Sequence, residues 1–405
     1  MAKRPIPFSS RGKPGKPRRK QRISRIVQDI PASGLRRFFD LIVSTDGIIS
    51  LGVGEPDFVT PWHVREAAIY SVEAGQTYYT SNLGTMELRS EVAAYLERLY
   101  GLRYDPECEI LITVGASEAI DLVMRAILDP GDEVVSADPG YVAYSPIIQL
   151  AGGVSRTVPT RVEDGFCLQG GDIAAHLTDR SRLLLLNNPS NPTGALLDRK
   201  TLEGIAEVVD ENDLLVVSDE IYDRLVYSEE PFVPFASIPG MNERTVTVGG
   251  FSKAFAMTGW RLGYVCAPPD LIAAMLKIHQ YTLMCAPTSA QAAAVEALRH
   301  GEPDVQQMLE AYSQRRKLLL DGLETIGLEP NEPQGAFYAF PSIRSTGLTS
   351  EEFTEQLLIE DQVAVVPGNA FGPSGEGFIR CCYAVGIADI EEALERMGRF
   401  LSRHS

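Results

Sequence analysis

The chain is poor in tryptophan (2) and histidine (5), and no apolar run approaches the length of a membrane span. Crossing a bilayer as a helix takes roughly 20 predominantly apolar residues, so a spanning segment is not expected. Its six cysteines, Cys108, Cys167, Cys266, Cys285, Cys381 and Cys382, show neither CxxC spacing nor a secretory pattern. That excludes a disulfide framework and a cysteine metal site, and free thiols in a reducing cytoplasm are expected. The histidines stand singly at 63, 176, 279, 300 and 404, which gives no ligand spacing for a metal. Acid is missing from residues 1–28, which carry ten Lys and Arg residues; the rest of the chain holds 27 basic against all 54 acidic residues. A body that acidic repels phosphate backbones, so nucleic acid is not an expected ligand. The basic head is rich in Pro and Gly without an apolar period. It reads as a disordered tail lacking both a secretory apolar core and an amphipathic transit helix.

The middle of the chain repeats one pattern: a short apolar run, a polar tip, then a helical stretch. Such runs occur at residues 110–114, 133–137, 183–186, 214–217 and 245–248. Runs this short, apolar throughout and alternating with helices suit parallel strands covered on both faces. The expected fold is α/β, with a large doubly wound, mostly parallel sheet and a smaller α+β domain built from both chain ends. The boundaries read as 1–28 tail, 29–68 N-terminal segment and part of the small domain, 69–300 large domain and 301–405 small C-terminal domain.

Ligands of an open parallel sheet bind outside the carboxyl ends of its strands. At those ends stand Ser117, Asn191, Asp219, Tyr222 and Lys253. Ser117 or Asp219 alone would be read as a helix cap. A lysine and an aspartate at neighbouring tips, however, form a costly buried pair unless something between them uses both. Pyridoxal 5′-phosphate (PLP) does: its aldehyde takes a lysine amine, and its ring nitrogen needs a carboxylate to stay protonated. Its phenolic oxygen needs donors, and its phosphate needs helix N-terminal amides and an arginine.

Three ordered motifs carry a family resemblance: Asn187-Asn188-Pro189-Ser190-Asn191-Pro192-Thr193-Gly194, Ser218-Asp219-Glu220-Ile221-Tyr222, and Phe251-Ser252-Lys253 followed by Thr258-Gly259-Trp260-Arg261. Over about residues 30–402 the chain resembles the class I/II PLP-dependent aminotransferases (fold type I). Gly54-Glu55-Pro56-Asp57-Phe58 and Gly335-Ala336-Phe337-Tyr338 are similar to the aromatic and broad-specificity branch. The resemblance implies that Lys253 forms the Schiff base and moves the proton, that Asp219 pairs with the ring nitrogen, and that Tyr222 and Asn191 bond the phenolic oxygen. It further implies that Arg261, the Gly115-Ala116-Ser117 turn and Ser252 hold the phosphate, and that Tyr141 stacks on the ring. Arg380 would fork the substrate α-carboxylate, with Asn191 and Gly54 beside the substrate. Tyr79 would reach the phosphate of a partner subunit, so a homodimer with shared active sites is implied. Met257 and Trp260 read as packing residues.

The resemblance implies transfer of the amino group of an L-amino acid, aromatic or broad in range, to a 2-oxo acid such as 2-oxoglutarate, by a ping-pong pyridoxamine phosphate mechanism. Two features depart from the family pattern. Gly250 stands where many relatives carry a phosphate-binding hydroxyl, and Ser117 stands where aspartate-selective members carry a lysine for the distal carboxylate. Strict dicarboxylate use is therefore not expected. The alternatives are a PLP-dependent carbon–sulfur β-lyase or another enzyme of this fold, and, in another class, a non-catalytic PLP-fold sensor joined to a DNA-binding module, for which residues 1–28 are too short. Residues 30–40 and 361–371 read as a movable lid.

Overall fold

A computed structural model of the chain describes residues 22–30 and 47–404. Its first strand, β1 (Ile49–Ser50), is not part of the main sheet. Seven strands make that sheet: β2 (Ile110–Thr113), β3 (Glu133–Asp138), β4 (Val154–Pro159), β5 (Ser181–Asn187), β6 (Leu215–Asp219), β7 (Thr245–Gly250) and β8 (Gly263–Cys266). Their spatial order is β2-β8-β7-β6-β5-β3-β4, and every pairing is parallel except the two made by β8. The expected doubly wound, mostly parallel sheet is therefore present, with one antiparallel strand inserted.

The alternation of side chains along the strands builds a core on each face of the sheet. Leu183 and Leu185 pack with Val134, Val217 and the helices Ala116–Ile127 and Pro269–Thr282 on one side. Leu184 and Leu186 pack with Val135, Val216 and the helix Arg199–Glu211 on the other. Each fully buried aliphatic side chain contributes about 1.5–3 kcal/mol, so both faces favour one register.

A further core joins the two flanks of the chain. Strands β9 (Tyr338–Ala339), β10 (Val363–Ala364) and β12 (Ile379–Cys382) contribute to it, with β11 (Val366–Pro367) pairing β12 and β1 pairing β10 in parallel through Ile49↔Val363. Met308, Tyr312, Leu319 and Leu323, from the 24-residue helix Glu302–Thr325, meet Phe337, Leu357, Met397 and Phe400 there.

Two expectations change. Residues 363–366, within the 361–371 part of the expected lid, are wholly buried, so that stretch is core, and residues 31–40 lie outside the described residues. The basic tail lies mostly outside them too, but its last residues enter a short helix, Arg25–Asp29, N-capped by Ser24. The capping serine, whose side chain accepts from the Val27 amide, is the local feature that supports this turn of helix. Among the described residues no helix is long and apolar enough to cross a membrane.

Candidate active site

Each strand tip delivers one polar group because the chain must turn there and leave the sheet. At the end of β2, Gly115 adopts φ +80°, a left-handed conformation that glycine tolerates, and opens the helix Ala116–Ile127. The first amides of that helix lack intrahelical partners and face the end of the sheet. A side chain at Gly115 would stand 2.8 Å from Arg261 Nη2, so the glycine also makes room for the guanidinium. Arg261, itself left-handed at φ +53°, donates from Nη1 to Thr258 O at 3.1 Å and stands two residues before the reversed strand β8. Arginine and turn amides thus form one anion cradle.

Asp219 closes β6 and is 4% exposed. Burial pushes its carboxyl up to about 6, against the opposing hydrogen bond from Tyr144 Oη to Oδ2 at 2.7 Å. Lys253 follows β7 by three residues and donates from Nζ to Gly54 O at 2.6 Å. Its ammonium lies 5.4 Å from the Phe337 ring centroid and 5.8 Å from that of Tyr222. Burial pulls the amine down to about 8, which brings the neutral, nucleophilic form within reach of ordinary pH.

Tyr222 Oη and Tyr338 Oη are hydrogen-bonded at 2.8 Å, both buried. Arg380 donates from Nη1 to Asn191 Oδ1 at 2.8 Å and from Nη2 to Gly52 O at 2.7 Å. Its guanidinium is flanked by Tyr338 at 4.4 Å and Phe371 at 4.9 Å from the ring centroids. Among the described residues Arg380 Nε is buried without a partner, an orphaned donor.

These groups share one cavity of about 510 Å³. Of the residues expected from sequence, Gly54, Ala116, Ser117, Tyr141, Asn191, Asp219, Tyr222, Ser252, Lys253, Arg261 and Arg380 line it, and Gly115 backs Arg261. Tyr79 does not line it and is 77% exposed on the surface. Met257 is fully buried, and Trp260 packs beside it while donating from Nε1 to Thr60 Oγ1 at 3.0 Å.

Sequence reasoning missed Tyr144, Asn187 and Tyr338 as lining residues. Tyr144 sits one helical turn beyond Tyr141, against whose ring it packs edge-on at 5.4 Å, so its spacing was a usable signal. Tyr338 stood in a motif noted for resemblance but assigned no role. Asn187, register partner of Asp219, accepts the Asn191 amide at 2.7 Å and fixes that turn.

The donor set fits PLP. A buried amine, a buried carboxylate and an arginine beside helix N-terminal amides meet the aldehyde, ring nitrogen and phosphate in turn. The chain matches the family "Aminotransferase class I and II" over residues 46–397. It is 52% identical to YugH of Bacillus subtilis, whose name includes aminotransferase, over 94% of this chain and 98% of that one. It is 44% identical to the aspartate aminotransferase of Pyrococcus abyssi, over 91% and 95% respectively. The solved aromatic aminotransferase of Pyrococcus horikoshii superposes with a TM-score of 0.87 at 45% identity, covering 90% of this chain and 99% of that one. A cavity that provides for each part of PLP and a whole-length match lead to one conclusion: the chain belongs to the class I and II aminotransferases, PLP-dependent enzymes of fold type I.

Proposed function

We propose that this aminotransferase moves the amino group of an aromatic or broadly chosen L-amino acid to a 2-oxo acid such as 2-oxoglutarate, in two half-reactions at Lys253. The observation that carries the reading is the Lys253 amine, buried, held by a backbone carbonyl and brought down to about 8. PLP, when bound, supplies an electron sink for the substrate α-carbon and stores the nitrogen between half-reactions.

The residues of the chain do the remaining work. Lys253 would hold the cofactor through its amine and, once freed, would move a proton at the substrate α-carbon. Asp219, oriented by Tyr144, keeps the ring nitrogen protonated. Tyr222 and Asn191 bond the phenolic oxygen. Arg261, the Gly115-Ala116-Ser117 turn and Ser252 hold the phosphate, and Tyr141 covers the ring. Arg380 takes the substrate α-carboxylate through its planar fork, a pairing that lysine could not copy.

Specificity follows from what remains. The described cations lining the cavity are Lys253, Arg261 and Arg380, each already assigned, and Ser117 is exposed at the position where a lysine would meet a second carboxylate. Neutral and aromatic side chains are therefore favoured over a strict dicarboxylate preference. Relatives named for aspartate and for aromatic substrates bracket the same range.

The holoenzyme should be titrated with single aromatic, acidic and aliphatic amino acids in the absence of an acceptor. Release of one equivalent of 2-oxo acid per site, with return of the original absorbance on adding 2-oxoglutarate, is expected. Continuous release of pyruvate from a thioether amino acid would replace transfer by β-elimination. Lys253→Ala should lose at least about four decades of turnover, since covalent anchor and proton carrier go together.

A further inference from the structure

The helix Ala116–Ile127 carries a carboxylate, Glu118, in its first turn, close to where an anion would bind. An acid there usually turns back to cap its own helix or sits in the field of the open amides, where it would repel a phosphate. In this chain it turns back past the N-cap glycine, Gly115, to the residue before it. Glu118 Oε2 accepts a short hydrogen bond from the Val114 amide, upstream of the turn. Its other oxygen, Oε1, accepts from His279 Nδ1 at 2.6 Å.

His279 belongs to the helix Pro269–Thr282 and is fully buried, while the Glu118 side chain is 9% exposed. With a carboxylate as the acceptor, the ring proton belongs on Nδ1. Among the described residues His279 Nε2 is buried without a partner, so the hydrogen bond that places the ring is the one to Glu118. The turn is held on its remaining sides as well. Thr113 Oγ1 donates to Gly115 O at 3.0 Å, and a side chain at Gly263 would strike Ala116 N at 2.8 Å.

We propose that Glu118 and His279 are positioning residues for the cofactor phosphate. Glu118 draws the Val114 amide inward so that the following amides point at the anion, and His279 holds the carboxylate away from it. The inference rests on the phosphate reading of the Gly115-Ala116-Ser117 turn given above.

The test compares binding of PLP with binding of pyridoxal, which lacks the phosphate, to the apoenzyme. Glu118→Ala should weaken PLP by about tenfold or more while pyridoxal affinity stays within about twofold, and Glu118→Gln, which keeps an acceptor for Val114, should recover most of the loss. Should Glu118→Ala not fold, His279→Leu carries the same comparison. Equal losses for PLP and pyridoxal, or no loss at all, would overturn the proposal. Arg261→Ala separates the two levels. If it lowers the preference for PLP while Glu118→Ala does not, only the positioning role fails. If neither changes the preference, the phosphate reading fails and takes this proposal with it.

Discussion

Two adjacent carboxyls, Asp219 and Glu220, end up on different duties because the strand sends them to opposite faces. Asp219 looks into the cavity, whereas Glu220 is buried behind it, with Oε1 accepting from Ser218 Oγ at 2.7 Å and from the Phe235 amide at 3.1 Å. Burial pushes the Glu220 carboxyl up to about 8 from an ordinary 4.5. The folded state therefore binds more protons than the unfolded state between those values, and its stability falls as pH rises through that window. Glu220→Gln keeps the Oε1 acceptor and cannot ionise. The variant should match the parent near pH 4 and exceed it above pH 8 by a few kcal/mol, gaining ~1.4 kcal/mol for each pH unit crossed inside the window. Urea midpoints of the apoprotein at the two pH values measure this; a difference that does not depend on pH would contradict it.

Among the elements, β8 and the phosphate turn approach each other closely, backbone to backbone. Gly263 opens β8 at the place where a side chain would meet Gly115 C and Ala116 N, both at 2.8 Å. Since both obstacles are backbone, they cannot swing aside. Gly263→Ala should push the turn away from Arg261 and loosen PLP by about tenfold, read as faster loss of bound cofactor on dialysis. Legibility from sequence varied between elements for a physical reason. β5, β6 and β7 are covered on both faces and were plain as unbroken apolar runs. β4 escaped because it is an edge strand whose Val154, Ser155, Arg156 and Thr157 are exposed or half-buried. β8 escaped because Gly263-Tyr264-Val265-Cys266 is short and follows directly on the Arg261 motif, with no turn signal between them. In the same way Lys253, Asp219 and Arg380 were readable from local motifs. The Tyr222–Tyr338 bond joins residues 116 apart, a pairing that only the folded chain creates.

For the molecule as a whole, Tyr79 remains outside the site that its motif predicts it to serve. It is 77% exposed beside Tyr78 at 68%, and Tyr70 and Tyr281 are 70% and 87% exposed. A two-fold dimer would use one surface twice and give each cavity the partner's tyrosine. Mixing Lys253→Ala chains with Tyr79→Ala chains under exchange conditions should then restore activity. Each hybrid would hold one site with both native groups and one with neither, about half the parent activity per hybrid. Activity no greater than the sum of the separate variants would show that Tyr79 serves its own subunit or none.

The loop that bears Gly52 and Gly54 has a consequence for how a substrate gets in. One of its carbonyls already accepts from Arg380 and the other from Lys253. Lys253 Nζ and the two terminal nitrogens of Arg380 thus already have protein oxygens as acceptors before any anion or aldehyde arrives. Entry is then a swap of one acceptor for another rather than the stripping of water from bare charge, and a ligand wins only by the margin between its oxygen and a peptide oxygen. A carboxylate has that margin over a carbonyl at an arginine; an amide or ester hardly does. The loop therefore acts as an occupant that yields to acids and holds its place against their neutral analogues.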